Sequence, residues 1–262
     1  QADLRWFNNG GKELNVALVN EFREIVRFWT KYHGVDGFRL DAVTSYYTGN
    51  IDKNIDFLSW LNTEAKKIKP TSYIVGEAWV GNDYTIDRYY ESGCDSFFLF
   101  TGSQATGSIA LAVKQNSGKS LGALFETLQS TYDDAILAPF LGNHDMARFA
   151  DIVKDRDLRR VRLGYVLLAT MRGIPQVFYG DEYAMTAPED PNSHSHLRMP
   201  LPLGDQVTKE QQEMYDFQSA LFQWRKKETV LHTGRTMHFL SRDNTYGFFR
   251  YNDSEAVFVF AN

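Results

Sequence analysis

A single cysteine, Cys94, is the whole of the thiol chemistry in this 262-residue sequence. No disulfide can close within the chain, no redox compartment follows, and the simplest role for that thiol is a buried and inert one. No apolar run is long enough to cross a bilayer, and no basic-then-apolar leader stands at the start. Because the sequence opens at Gln1 rather than at methionine, the second absence carries little weight. The compartment stays open, with an extracytoplasmic location preferred over a cytoplasmic one. Neither sign of charge dominates: 28 basic against 33 acidic residues leave a net charge of −5 and no basic stripe. General attraction to a phosphate backbone is thereby excluded, so neither nucleic acid nor a membrane is an expected partner, whereas a neutral polymer is compatible.

What the sequence has is alternation. Leu18, Phe22, Ile25, Val26 and Trp29 recur at helical spacing, Gly34 stops that helix, and residues 35–40 read as a strand. After a polar loop over 44–50, Ile51, Ile55, Leu58, Leu61, Ala65 and Ile68 mark a second amphipathic helix that ends before Pro70, and another strand follows. Strands are expected again over 94–100, 136–141 and 174–179, with a helix beginning at Leu121 and a well-buried one over 158–171. The Gly, Ser and Thr content of residues 101–118 reads as a long surface loop. Thr208 and Gln211 have the spacing of a capping box, opening a helix whose Met214, Phe217, Leu221 and Trp224 face inward. Short strands over 237–240, 246–251 and 256–260 close the sequence. Five strand–helix alternations followed by consecutive strands argue for parallel βα units with an antiparallel module after them. Alternation alone does not separate a barrel from an open sheet.

Three of these strand ends carry carboxylates. Gly37-Phe38-Arg39-Leu40-Asp41 sets an arginine and an acid two residues apart, hence on one side of a strand. Gly76-Glu77-Ala78-Trp79 places an acid before an aromatic, and Gly142-Asn143-His144-Asp145 ends in a His-Asp pair. Taken singly, each has a plainer reading: a structural ion pair, a helix-capping acid, a hydrogen-bonded turn. Asp181-Glu182 reads as a charged helix start, and His194 with His196 as solvated loop histidines rather than metal ligands. The conjunction of three acids at three strand ends is what singles out Asp41, Glu77 and Asp145.

The segments GFRLDAV, GEAW and FLGNHD, with Gly173-Ile174-Pro175-Gln176-Val177-Phe178-Tyr179-Gly180-Asp181-Glu182 after them, resemble in order and approximate spacing the signature segments of the α-amylase family of glycoside hydrolases. The resemblance runs across nearly the whole chain, and residues 1–6 are similar to the family's lead into its third barrel helix. It implies an α/β fold, a (β/α)8 TIM barrel lacking its first strands here, over residues 1–228, and the start of an antiparallel all-β C-terminal domain over 229–262. It implies Asp41 as nucleophile, Glu77 as acid/base and Asp145 as the third acid, which holds sugar hydroxyls, with Arg39, His144, Trp79 and Arg148 as substrate-binding residues. No cofactor is required. Calcium is common in the family, but Thr44 and Ser45 stand where many members have Lys-His, and the residues present support no metal site. The stretch from Gln211 through Trp224-Arg225-Lys226 is similar to neopullulanase and cyclomaltodextrinase relatives, and the loop 190–202 with Arg198-Met199-Pro200 to a substrate-side segment in oligosaccharide-acting members of the family. That points to α-glucans of maltooligosaccharide range, or cyclodextrins, and makes a homodimer one expected arrangement.

Breaking a glycosidic bond means protonating a poor leaving oxygen while stabilising an oxocarbenium-like centre, so two carboxyl groups must flank it in opposite protonation states. Arg39 favours the ionised form of Asp41, and Glu77, between an apolar strand and Trp79, is expected in surroundings that favour its protonated form. The resulting reading is a retaining hydrolase of α-1,4-glucosidic bonds. Two others stay open: a glucanotransferase, in which a sugar hydroxyl rather than water meets the covalent intermediate, and a non-catalytic carbohydrate-binding or transporter-associated relative, which would usually lack one of the three acids. An aromatic share of 15% suits stacking on sugar rings, although cores claim most such residues.

Overall fold

Apolar periodicity becomes parallel βα units in the computed structural model, which describes residues 7–8, 13–103, 106–132, 134–187, 189–190, 193–242 and 244–262. The expected lead-in over residues 1–6 lies outside the described residues. The chain forms two units, Gln1–Trp79 with Tyr84–Phe97, and Val80–Asp83 with Phe98–Asn262.

In the first unit, helix α1 (Val16–Arg27) begins where the Asn15 side chain accepts from the Leu18 N–H and continues into a wider turn, Phe28–Tyr32. Gly34, at φ +70, then reverses the chain, a conformation that a Cβ would strain. Val26 is buried, but Ile25 and Trp29 of the expected stripe are exposed. Strand β1 (Gly37–Leu40) pairs in parallel with β2 (Tyr73–Gly76), Gly37 opposite Tyr73 and Leu40 opposite Gly76. Helix α2 (Ile51–Ile68) makes the crossover and buries Ile55, Leu58, Leu61 and Ala65, while Phe57 meets Phe22 edge-on. Burying each such aliphatic side chain contributes about 1.5–3 kcal/mol. β2 pairs in turn with β3 (Ser96–Phe98), again in parallel. Asn54 of α2, 1% exposed, accepts from the Tyr47 N–H at 2.7 Å and donates to the Thr44 carbonyl at 3.2 Å, which pins the loop that leaves β1. Cys94 is buried as expected, and burial pushes its thiol up to about 11.

The second unit corrects three expectations. Residues 101–118 are not a long surface loop: helix α3 (Ser108–Gln115) runs through them and buries Ile109, Ala110, Ala112 and Val113. Gly107 allows its start, since a Cβ there would lie 1.6 Å from the Ser103 carbonyl oxygen, and Asn116 ends it in the left-handed region. Helix α4 (Lys119–Ser130) follows, then β4 (Ile136–Ala138) and α5 (Leu158–Thr170), the latter capped by Asp157. Residues 174–179 make one parallel bridge, Phe140 to Gln176, rather than a full strand. Helix α6 (Lys209–Lys227) opens on the expected capping box: Thr208 Oγ1 accepts from the Gln211 N–H, and Gln211 Oε1 from the Thr208 N–H. Its buried face is instead Met214, Gln218 and Arg225, with Trp224 exposed. Strands β5 (Arg235–His238), β6 (Tyr246–Tyr251) and β7 (Ala256–Ala261) form an antiparallel sheet. Alternation along β6 buries Tyr246, Phe248 and Arg250 on one face, where Phe248 packs 4.7 Å from Phe125 of α4.

Candidate active site

Because Leu40 and Gly76 lie opposite one another, the residues after the two strands emerge at a common edge. The Glu77 N–H donates to the Leu40 carbonyl at 2.9 Å and the Val43 N–H to the Glu77 carbonyl at 3.1 Å, so the turn after β1 is laced to the residue after β2. Arg39 reaches into this edge. Its Nη1 donates to Asp41 Oδ1 and its Nη2 to Glu77 Oε1, putting one guanidinium on both carboxylates. The other Glu77 oxygen accepts from the Ala42 N–H at 3.1 Å. Ala42 adopts φ 42 and ψ 48, the left-handed region that costs a residue with a Cβ roughly 1–2 kcal/mol, and this conformation aims its N–H at Glu77.

The two acids differ sharply in exposure: the Asp41 side chain is 80% exposed and Glu77 is 5% exposed. Burial of Glu77 was expected. Apolar surroundings were also expected and are not found, since Arg39 and Ala42 each supply a donor to its carboxylate. Trp79 follows, 42% exposed. A residue that the motifs did not single out, Tyr46, belongs to this edge. Burial, reinforced by the Asp41 charge, pushes its phenol up to about 12, so the hydroxyl stays protonated throughout the neutral range. Its ring stands edge-on to Phe57 at 5.1 Å.

In the second unit, Asn143 Oδ1 accepts from the Asp145 N–H at 2.9 Å and shapes the turn that carries His144 and Asp145. His144 Nε2 lies 3.1 Å from Asp145 Oδ2. Arg198 closes the group, donating through Nη2 to Asp145 Oδ1 at 2.8 Å and through Nε to the His144 carbonyl at 3.1 Å. His194 is the fourth member, with Nε2 3.9 Å from Asp145 Oδ1, whereas His196 faces Glu189 at 3.4 Å. The expectation of two solvated histidines holds for His194, whose side chain is 62% exposed, and less well for His196 at 32%. Arg198 was visible only as part of a loop similarity, and nothing in its spacing ties it to Asp145.

Arg148 is a correction. Its expected contact with substrate is ruled out by complete burial: at 0% exposure, Nη1 donates to the Tyr179 carbonyl and to Asp181, and Nη2 to the Leu197 carbonyl. The guanidinium also lies over the rings of Phe178 and Tyr179, at 4.7 and 5.3 Å. It ties together the segments around residues 179 and 197. Among the described residues no group of three or more His, Cys, Asp or Glu side chains is placed to hold a metal ion.

The family described as "Alpha amylase, catalytic domain" matches residues 1–254. The sequence is 31% identical over 207 residues to "Alpha-amylase 3" of Dictyoglomus thermophilum, covering 76% of this chain and 38% of that protein. A "Cyclomaltodextrinase" of Thermoanaerobacter pseudethanolicus is 23% identical over 267 residues, covering 100% of this chain and 43% of its own. Among solved structures, "Eubacterium rectale Amy13B" superposes with a TM-score of 0.82 at 28% identity, covering 95% of this chain and 55% of that one. The chain spans about two-fifths of the length of the curated relatives it matches.

Proposed function

The chain belongs to the alpha-amylase family of glycoside hydrolases, and on that premise we propose that the protein hydrolyses α-1,4-glucosidic bonds in maltooligosaccharides or cyclodextrins with retention at the anomeric carbon. The observation that carries this reading is the single guanidinium of Arg39 on both Asp41 and Glu77. Two carboxylates on neighbouring nitrogens of one side chain fit the spacing of about 5–5.5 Å used by retaining enzymes, where one acid attacks directly and no water stands between. Asp41, the exposed partner, is the nucleophile that bonds to the anomeric carbon. Glu77, the buried partner, gives its proton to the departing glycosidic oxygen and then takes one from the water that releases the sugar from Asp41. Asp145 and His144 hold sugar hydroxyls, which exchange for the Arg198 contact when substrate binds. The relative named cyclomaltodextrinase supports a short or cyclic substrate over granular starch.

Proton NMR of products freshly released from maltoheptaose tests this, with the parent, Glu77→Gln and Asp41→Asn measured side by side. The α-anomer is expected first, and each variant is expected to lose turnover by about 10²–10⁴-fold or more while keeping its fold, because volume is nearly unchanged. An initial β-anomer would overturn double displacement. Near-parental rates in either variant would remove that residue from its role, and no product from the parent would remove the hydrolase reading.

A further inference from the structure

Two separate segments of the second unit meet on one buried guanidinium. Arg148 Nη1 donates to the Tyr179 carbonyl at 2.8 Å and to Asp181 Oδ1 at 3.1 Å, and Nη2 donates to the Leu197 carbonyl at 2.7 Å. The Tyr179 hydroxyl then reaches across to the other segment, donating to the Met199 carbonyl at 3.0 Å. The carbonyls on either side of Arg198 are thus both held, one by Arg148 and one by the residue whose own carbonyl Arg148 holds. Between them, Arg198 faces the site, with Nη2 2.8 Å from Asp145 Oδ1 and Nε 3.1 Å from the His144 carbonyl oxygen.

The surroundings fix the guanidinium in turn. Tyr165 of α5 donates its hydroxyl to the second Asp181 oxygen at 2.8 Å, and Gln218 of α6 donates to the Asp181 carbonyl at 2.8 Å. Gly180, at φ +85, lets the chain pass close by: a Cβ there would lie 3.1 Å from Arg148 Nη1 and 2.4 Å from Met185 Sδ. Stability is a weak reason to bury such an ion pair, because apolar side chains of similar volume often serve as well or better. Apolar side chains could not, however, hold two carbonyls from different segments at fixed directions, as a planar fork of donors does. Arg198 is the residue that gains from this. Its side chain is 45% exposed, and holding a long exposed side chain in one geometry costs conformational entropy. A main chain fixed on both sides leaves less of that entropy to lose.

We propose that Arg148 and Tyr179 are positioning residues: they bracket Arg198 and so set its guanidinium on Asp145, keeping that carboxylate oriented until sugar hydroxyls take the contact over. The last step rests on the hydrolase reading; the bracket itself does not.

Three substitutions test this. Tyr179→Phe deletes one hydroxyl and leaves the ring and the carbonyl in place; Arg148→Lys keeps the buried charge and loses the fork; Arg198→Met removes the residue acted upon. In protein labelled with ¹⁵N-arginine, the Arg198 Nε–H signal is identified by its loss in Arg198→Met. Its exchange with water is expected to be at least about threefold faster in Tyr179→Phe than in the parent, the effect of one lost hydrogen bond. For maltoheptaose, kcat/KM is expected to fall about 3–10-fold in Tyr179→Phe and at least about tenfold in Arg148→Lys. In the Arg198→Met background, Tyr179→Phe is expected to cost less than about 1.5-fold more, because its effect runs through the missing guanidinium. A strut that served only the fold would cost the same factor in both backgrounds. Tyr179→Phe alone decides where Arg148→Lys fails to fold, and a parent without turnover removes the hydrolase reading while the exchange measurement still decides the bracket. Unchanged Arg198 exchange in Tyr179→Phe, or equal losses of kcat/KM with and without Arg198, overturns the proposal.

Discussion

Single residues show three ways of keeping an ionisable group out of water. Glu77 has one donor on each oxygen; Arg225 is wrapped by carbonyls; Asp181, 3% exposed, accepts from the Tyr165 hydroxyl at 2.8 Å and from Arg148 at 3.1 Å. For Asp181 burial outweighs both partners and pushes the carboxyl up to about 6 from its ordinary 3.8. A group whose folded value is raised holds its proton more tightly in the folded state, so its contribution is fully present below about pH 4 and is lost as pH rises through about 6. Asp181→Asn abolishes that titration. Urea denaturation at pH 4 and pH 7 is expected to show the parent losing stability relative to the variant on the order of 2 kcal/mol across the interval. A parent that instead gained on the variant would mean that Arg148 and Tyr165 win over desolvation. This is also why Arg148 misleads a reader of the sequence: three residues from Asp145 it looks like a site residue, and only carbonyls some 30 to 50 positions away decide that it is buried.

Elements are where the sequence is most legible. Gly37 opens the motif that carries Arg39 and Asp41, and a Cβ there would stand 1.8 Å from the Tyr73 carbonyl oxygen across the parallel pair. Gly37→Ala must therefore part β1 from β2 and is expected to cost more than about 2 kcal/mol, above the usual range for one surface methyl. Thr208→Ala removes only the cap of α6 and should cost about 1 kcal/mol. Urea midpoints give the order of the two, and a Gly37→Ala protein as stable as Thr208→Ala would contradict the register. Strands ending in Asp41 and Glu77, the α2 stripe and the capping box were all readable because each depends on neighbours in sequence. The parallel strands of an amylase-type barrel and the antiparallel C-terminal sheet were readable through the motifs, and the match to "Eubacterium rectale Amy13B" agrees with them. Helix α3 was hidden by the Gly and Ser flanking a short apolar run, and the inner face of α6 by its use of Gln218 and Arg225, whose burial depends on carbonyl partners that periodicity cannot register. The conformation of Ala42 left no sequence signal and Arg198 only a loop similarity, since a left-handed alanine and a loop arginine acquire their roles from what stands opposite.

Across the whole molecule, a net charge of −5 without a basic stripe sets how binding of the proposed substrate responds to salt. An α-glucan is neutral, so the binding proposed for it displaces no counterion atmosphere. The KM for maltoheptaose is therefore expected to stay within about twofold between 0.1 and 1 M NaCl, as the screening length falls from about 10 to about 3 Å. If KM instead climbed steeply with salt, substrate capture would run through charge after all, and the exposed ion pairs Arg39–Asp41 and Arg198–Asp145 would be the places to look for it.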